Sequence, residues 1–184
     1  MAEAGAGVPL RLETSRLILR DFVAEDEAAV HEYASDPEVT RHMLWGPNTE
    51  AETREFLQRT IGALQVEGPR QVYELALVRR SDGRLIGGCG LHREGTAAAE
   101  LGYCLSRGVW GQGYAVEAAQ ALVRFGFAEL GLHRIYAKCR PANVGSYRVM
   151  EKLGMQREGL LREHLHVKGA WHDSLLYSIL AHEI

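Results

Sequence analysis

The sequence has little cysteine, and the placement of the few residues argues against two classes of protein. Its 184 residues contain three, Cys89, Cys104 and Cys139. An odd number without C-x-x-C spacing favours neither a disulfide framework nor a zinc site. Each lies in an apolar, strand-like stretch, so we expect buried free thiols, with a nucleophilic role as the weaker alternative.

Long apolar runs and a strong excess of one charge are also missing. No stretch approaches the roughly 18 apolar residues of a membrane-spanning helix, and the N-terminus lacks the charged start and apolar stretch of a secretion signal. The formal net charge is -3, and Lys and Arg are scattered along the chain. We therefore expect a cytoplasmic protein with no membrane partner and no direct nucleic-acid partner.

The remaining composition is that of an ordinary globular protein, with 46% hydrophobic and 24% charged residues. A chain of this length can bury a sizeable core as one unit. Residues 1–9 are mostly Ala and Gly and predict a flexible tail, which leaves residues 10–184 as a single domain.

Periodicity along the chain predicts an α+β fold. Apolar alternation indicates strands at 16–22, 72–79, 85–92, 98–105, 134–139, 157–167 and 173–181. Helical patterns cover 25–34, a segment from an N-cap at Asn48-Thr49 to about Val66, then 114–130 and 144–153, and Pro37 stops the first helix. Short connections predict antiparallel hairpins in the first half, whereas the strand, long helix and strand over 98–139 predict one parallel crossover.

A glycine-rich turn precedes the long helix and has the properties of an anion site. Gly111 and Gly113 permit a tight turn without Cβ clashes, so that successive N–H groups point inward at the positive end of the helix dipole. A pyrophosphate suits such a site. The turn matches neither the dinucleotide fingerprint nor the nucleotide-triphosphate loop, and an ordinary glycine-rich connection is an equal alternative.

Five blocks of sequence carry a family resemblance: LETSRLILR at 12–20, AELGYCL at 99–105, WGQGYAVEA at 110–118, NVGS at 143–146 and EKLGM at 151–155. In this order they resemble the GNAT superfamily, and within it the branch of ribosomal-protein N-terminal acetyltransferases. The resemblance implies a mixed, mostly antiparallel central sheet with a parallel strand-helix-strand crossover and helices on both faces. It also implies an acyltransferase that uses acetyl-CoA as the acetyl donor.

The resemblance assigns the coenzyme A contacts. Backbone amides of the turn would hold the pyrophosphate, from Gly111, Gln112, Gly113, Tyr114 and Ala115. Tyr103, Cys104 and Leu105 would pair with the pantetheine arm as a further strand would. Trp110 stands where the wider superfamily has Arg or Gln, and because the site uses backbone donors this departure changes little.

Proton transfer has candidates on both sides of the reaction. Glu100 resembles in position the general base of histone-type members, although it could instead orient the amine by charge or face solvent. Asn143 and Ser146 open the shorter helix, where the family's Asn contacts pantetheine and a hydroxyl approaches the thioester sulfur; both could also serve only as caps. The family's usual tyrosine acid falls on Met150, so Ser146 is the better donor candidate.

The C-terminal stretch leaves the acceptor open. Ribosomal members carry a catalytic Glu there, but matching without gaps places Leu165 at that position, with Glu163 nearby. His164, His166 and His172 favour surface or pocket positions over a metal site, and we expect no metal. The acceptor is expected to be a protein or peptide α-amine, with a small amine as the alternative and a non-catalytic acyl-CoA-binding module as another class; the chain would be a monomer or homodimer.

Overall fold

The computed structural model describes residues 9–184, so residues 1–8 of the predicted tail lie outside the described part of the chain. Alternating apolar side chains form one mixed sheet. Its strands are β1 (Arg11–Glu13), β2 (Leu17–Asp21), β3 (Val72–Arg79), β4 (Leu85–Glu94), β5 (Ala98–Leu105), β6 (Arg134–Cys139), β7 (Gln156–Val167) and β8 (Ala170–Leu180).

The bounds of β3, β5 and β6 agree with the prediction, one strand was not predicted, and the start of β8 is corrected. β1 was missed because a strand of three residues is too short to show alternation, and its pairing with β2 secures it. β8 begins at Ala170 rather than 173, because β7 and β8 are joined by a two-residue turn in which Lys168 and Gly169 have φ of 52° and 80°. Such turns match the twist of a hairpin.

The helices are α1 (Glu27–Ala34), α2 (Pro37–Thr40), α3 (Glu50–Gly62), α4 (Tyr114–Ala128) and α5 (Val144–Lys152). Pro37 ends the region of α1 as predicted, but it also begins α2, since the first turn of a helix needs no N–H from that residue. Thr49 caps α3 and Glu52 completes a capping box. The prediction that α3 reaches Val66 was too long by one short 3-10 turn and a residue.

The strand order is β1-β2-β3-β4-β5-β6-β8-β7, and all pairs are antiparallel except β5 with β6. That parallel pair follows from the α4 crossover. The predicted α+β fold with a mostly antiparallel sheet and one parallel crossover is confirmed.

Apolar packing covers both faces of the sheet. On one face α4 and α5 pack on a cluster in which Leu91, Leu122 and Ile135 are 0% exposed. On the other face α1 and α3 pack around Phe22 and Ala76. Each fully buried Leu or Ile side chain stabilises the fold by roughly 1.5–3 kcal/mol, so the two faces hold the sheet rigidly.

The cysteines lie in this packing. Cys89 and Cys139 are buried, Cys104 is half-buried, and all three are free. Burial raises the pKa of Cys104 to about 12, which disfavours the thiolate that a nucleophile needs. The prediction of free thiols is confirmed. Within residues 9–184 no helix is both long enough and apolar enough to span a bilayer.

Candidate active site

A cleft opens in the sheet where the pairing of β5 and β6 ends. The parallel ladder joins residues 98–100 to residues 134–136 and stops at the pair of Glu100 and Tyr136. Beyond this pair, in the described part of the chain, Tyr103, Cys104 and Leu105 have β4 on one side and no strand on the other. An exposed strand edge of this kind can accept an extended ligand as an additional strand.

The glycine-rich turn supplies unpaired donors beside this edge. Gly111 and Gly113 have φ of 74° and 82°, and Gly113 is the N-cap of α4 without a side-chain capping bond. The first intrahelical bond runs from Glu117 N to Gly113 O. Within residues 9–184, the N–H groups of residues 111–115 donate to no other protein atom. The turn is therefore a set of free donors at the positive end of a helix dipole, which fits a pyrophosphate.

The side chains of Trp110 and Gln112 donate hydrogen bonds to nearby carbonyls of the chain and so stabilise the turn. Trp110 Nε1 donates to the carbonyl of Leu105 at 2.8 Å, so this β5 carbonyl is already used. Gln112 Nε2 donates to Gly108 O at 3.1 Å. Both bonds leave the backbone N–H groups free to bind a ligand.

Glu117 of α4 anchors the turn to the β1–β2 connection. From the β1–β2 connection, Arg16 Nη1 donates a hydrogen bond to the carbonyl of Gln112 at 3.0 Å, which holds the turn directly. Burial opposes the charge of Glu117, yet its hydrogen bonds outweigh burial and lower its pKa. These contacts explain the block at 12–20, whose role the sequence did not indicate. The Glu117 carboxylate accepts from Thr14 Oγ1 at 2.6 Å, Ser15 Oγ at 3.0 Å, Arg16 N at 2.8 Å and Arg16 Nε at 2.6 Å.

Glu100 lies where the two strands diverge. Its side chain alternates with that of Leu101 and so faces the side of the sheet covered by α1 and α3, away from α4. The side chain is 36% exposed, and its Oε2 lies 3.3 Å from Lys138 Nζ. Tyr136 OH is 3.4 Å from the same oxygen but donates its proton over the shorter distance of 2.5 Å to Glu94 Oε1. The base candidate is thus a partly buried carboxylate, paired with Lys138, at the branch of the cleft.

Two more titratable side chains, His92 and Glu74, lie on β4 and β3, the next two strands across the sheet from Glu100, and they were not identified from the sequence. His92 of β4 is the cross-strand partner of Glu100, and its ring is hydrogen-bonded to Glu74 of β3. That hydrogen bond raises the pKa of His92, while burial opposes the rise and the charges of Glu74 and Glu100 add to it. The signal available in the sequence was weak: Glu74 interrupts the apolar part of β3, and His92 follows the apolar part of β4.

Two hydroxyl groups meet across the cleft from α5. Tyr103 OH donates to Ser146 O at 2.8 Å and lies 3.2 Å from Ser146 Oγ. Burial raises the pKa of Tyr103, so its phenol keeps the proton. Asn143 Oδ1 accepts from Ser146 N at 3.2 Å and caps α5, and Met150 is buried in the core. The resemblance assigned Tyr103 a role through its backbone, and the structure shows that its phenol also contacts Ser146.

Comparison with known families bears on the chain as a whole. A family model described as Acetyltransferase (GNAT) domain matches residues 16–156. The chain belongs to the GNAT family. It is an acyltransferase of the N-acetyltransferase class, and the family's acetyl donor is acetyl-CoA.

Two relatives of this GNAT enzyme match nearly its whole length, and a third matches less than half of it. An uncharacterized N-acetyltransferase, p20, of Bacillus licheniformis is 37% identical over 174 residues, 94% of this chain and 97% of that protein. A solved GNAT acetyltransferase from Bacillus anthracis has a TM-score of 0.86 at 36% identity, covering 94% of this chain and 99% of that one. A ribosomal protein uS5-alanine N-acetyltransferase of Escherichia coli is 32% identical over 82 residues, 45% of this chain and 42% of that protein.

The C-terminal stretch of the GNAT enzyme contains a shift of register in β7. Leu161 pairs with Ser174 and Leu165 with His172, so four steps on β7 face two on β8. Glu163 lies in the bulge with φ of 46°, and its N–H donates to Asp173 at 2.8 Å. A count without gaps therefore does not decide between Glu163 and Leu165.

The C-terminal histidines have other partners. His164 Nδ1 is 3.1 Å from Ser174 Oγ, and the ring of His166 packs on Trp171 at 5.0 Å between centroids. In the described part of the chain, no group of three or more His, Cys, Asp or Glu side chains is placed to hold a metal ion.

The loop between α2 and α3 carries large apolar side chains, among them Leu44 and Trp45. Leu44 and Trp45 are 59% and 40% exposed, so these two side chains do not pack in the core. Directly before the loop, the carbonyl of Thr40, the last residue of α2, accepts a hydrogen bond from Lys168 Nζ of the β7–β8 turn at 2.9 Å.

Proposed function

We propose that the enzyme transfers acetyl from acetyl-CoA to a primary amine by direct attack in a ternary complex, with a protein or peptide N-terminal α-amine as the acceptor. The observation that carries the proposal is the cleft between β5 and β6. Its donor turn lies at the N-terminal end of α4, which packs on one face of the sheet, and the Glu100 carboxylate is on the other face. Two substrates can therefore meet at the branch point from opposite faces.

The contacts proposed for coenzyme A use groups that the fold leaves free. The amides of residues 111–115 would bind the pyrophosphate, and the open edge of β5 from Tyr103 would bind the pantetheine arm. Asn143 uses Oδ1 for its cap, so its amide NH₂ is available to a pantetheine carbonyl. Acetyl-CoA supplies a thioester whose carbon forms the new bond to nitrogen as the bond to sulfur breaks.

Glu100 would take the proton released by the amine, directly or through one water. The ion pair with Lys138 and the contact with Tyr136 are both made by Glu100 Oε2, which leaves Oε1 to accept the proton. A positioned base of this kind contributes about 10²–10⁴-fold to rate.

Ser146 would protonate the departing thiolate. The Tyr103 phenol lies close enough to Ser146 Oγ to return a proton to it. Since Met150 has no proton to give, the hydroxyl pair is the available acid on this side of the cleft.

The acceptor proposal is supported by the relative that acts on the alanine of ribosomal protein uS5. It is tested by mixing the protein with acetyl-CoA and a panel of peptide N-termini and small amines, following free thiol and acceptor mass. Thiol release that depends on peptides supports the proposal, and release with small amines alone refutes the peptide acceptor. Tight coenzyme A binding without thiol release for any amine would instead indicate a non-catalytic acyl-CoA-binding module.

A further inference from the structure

Four basic side chains lie near one another where the chain leaves β6; we call Arg41, His42, Arg140 and Lys168 the basic cluster. Arg41 and His42 begin the α2–α3 loop, Arg140 follows β6, and Lys168 is in the β7–β8 turn. The bond from Lys168 Nζ to Thr40 O joins the turn to the start of the loop.

Arg140 is the unusual member. Its Nε and Nη2 are buried and have no hydrogen-bond partner among the described residues. A buried donor left without a partner costs about 1–3 kcal/mol, and more when it is charged. Native proteins keep such groups rarely, and a bound ligand is one common reason.

The cluster also carries uncompensated charge. Within residues 9–184, Arg41, Arg140 and Lys168 make no ion pair. Burial and then the charge of Arg140 lower the pKa of Lys168. Burial and then Arg41 and Arg140 lower the pKa of His42, and Glu38 opposes them. The fold therefore holds the Arg41, Arg140 and Lys168 charges without an ion-pair partner among residues 9–184, and their field disfavours a proton on His42.

The position of Arg140 relates the cluster to the reacting amine. Lys138, which contacts Glu100, precedes Arg140 by two residues along the strand that leaves the cleft. Two strand residues span about 7 Å, which an extended peptide covers in about two residues. A group bound at Arg140 would thus lie one to two residues from an amine at Glu100.

We infer that the basic cluster is an anion subsite that selects acceptors carrying a carboxylate or phosphate one to two residues from the amine. This inference rests on the proposed amine acetylation. The anion would supply the hydrogen-bond acceptors that Arg140 lacks, and Arg41 and Lys168 would add charge attraction. The anionic group can come from an acidic side chain near a peptide N-terminus or from the carboxylate of a short acceptor.

The experiment uses acceptor pairs that differ only in charge. One pair is a C-amidated tetrapeptide with Asp or Asn at its second residue, and the other is a dipeptide with a free or amidated C-terminus. Binding to the CoA-loaded protein is measured by calorimetry, and acetylation by thiol release. We expect the anionic member of at least one pair to bind at least tenfold more tightly, and the responding pair identifies the source of the anion.

Three variants locate the effect. Arg140→Gln should reduce the preference to within about twofold while leaving the KM for acetyl-CoA unchanged. Lys168→Asn should reduce it partly, and since Asn tolerates positive φ the hairpin is kept. Arg148→Gln is the matched control, because Arg148 is exposed on α5 and the same charge is removed.

The outcomes separate this inference from the proposed function. Equal binding of both members in both pairs, or a preference unchanged in Arg140→Gln and Lys168→Asn, overturns the subsite. A charge preference in binding without any acetyl transfer supports the subsite and refutes the proposed reaction. A higher KM for acetyl-CoA in Arg140→Gln would assign the cluster to the cofactor instead.

Discussion

Glu100 has two polar neighbours and a place on the acceptor face, and these details determine what a substitution should do. Lys138 pairs with the carboxylate, Tyr136 lies beside it, and an amide has nearly the same shape as the carboxylate that it replaces. The side chain can therefore be tested for chemistry with little disturbance of the fold.

We expect Glu100→Gln to lower kcat/KM by about 10²-fold or more, and most strongly at low pH. Below the pKa of the acceptor amine a base is needed to remove a proton, whereas above it the free amine attacks without help. The ratio of wild-type to variant kcat/KM measured from about pH 6 to pH 9 checks this. Glu55→Gln, which removes an exposed carboxylate on α3, should leave activity unchanged. A ratio that does not vary with pH would contradict the role of base.

Ser146→Ala should lower kcat about tenfold or more, with little change in the acceptor KM, because the departing thiolate loses its proton donor. If the Tyr103 phenol acts through Ser146, adding Tyr103→Phe should cost nothing further, and a double-mutant cycle measures this. Tyr147→Phe on α5 removes a neighbouring phenol as the control. Additive losses would show that the two hydroxyl groups act separately.

Glu74, His92 and Glu100 lie on the neighbouring strands β3, β4 and β5. The pKa of His92 therefore depends on carboxylates of the strands on both sides of it. The α4 turn shows the same relation, since its donors depend on the β1–β2 connection held by Glu117. Pairing and packing of the strands and helices thus bring together side chains that lie far apart in the sequence.

The contact between His92 and Glu74 predicts a pH-dependent contribution to stability. The folded pKa of His92 is raised, so the contribution is fully present below the unfolded value of about 6.5 and is lost as pH rises through the folded pKa. NMR titration should show the raised pKa in the wild type and a lower one in Glu74→Gln. Because the His92 side chain is 55% exposed, the effect on stability should be small. Equal pKa values in both proteins would contradict the assignment.

Gly111→Ala should weaken coenzyme A binding through its effect on the donor turn. Gly111 has φ of 74° and no other atom lies within 4 Å of the place that an alanine Cβ would take, so the cost to the fold is only the strain of positive φ, about 1–2 kcal/mol. Gly95→Ala is a matched control, because Gly95 has φ of 63° and the same open space but lies in the β4–β5 turn. Calorimetry should show weaker binding for the first variant alone; equal binding would separate the turn from the cofactor.

Across the whole molecule, a ligand in the cleft would bridge two halves of one sheet. The halves are joined by only a short parallel ladder between β5 and β6 in addition to helix packing. Ligand binding to the folded state should therefore be visible in the melting temperature.

Coenzyme A at about 100 times its Kd should stabilise the fold by about 2.7 kcal/mol and raise Tm by about 5–10 °C. Pantetheine, which lacks the pyrophosphate, should raise Tm much less at the same concentration because it leaves the donor turn of α4 empty. Thermal melting with both compounds measures the difference. Equal shifts would mean that the turn contributes little to binding.

The sequence by itself determined the elements that rest on local patterns. Alternation located β5 and β6 to the residue, Gly111 and Gly113 marked a turn that only positive φ allows, and the long helix between two strands required a parallel crossover. Each depends on a period or a backbone preference that operates within a few residues.

Only the tertiary structure decided which side chains meet. His92 and Glu100 are neighbours because β4 and β5 are in register, Tyr103 reaches Ser146 because α5 packs beside the cleft, and Arg140 lacks a partner because of what surrounds it. These relations depend on strand order, register and divergence. No local period encodes them, since the free energy that sets them comes from packing between distant segments.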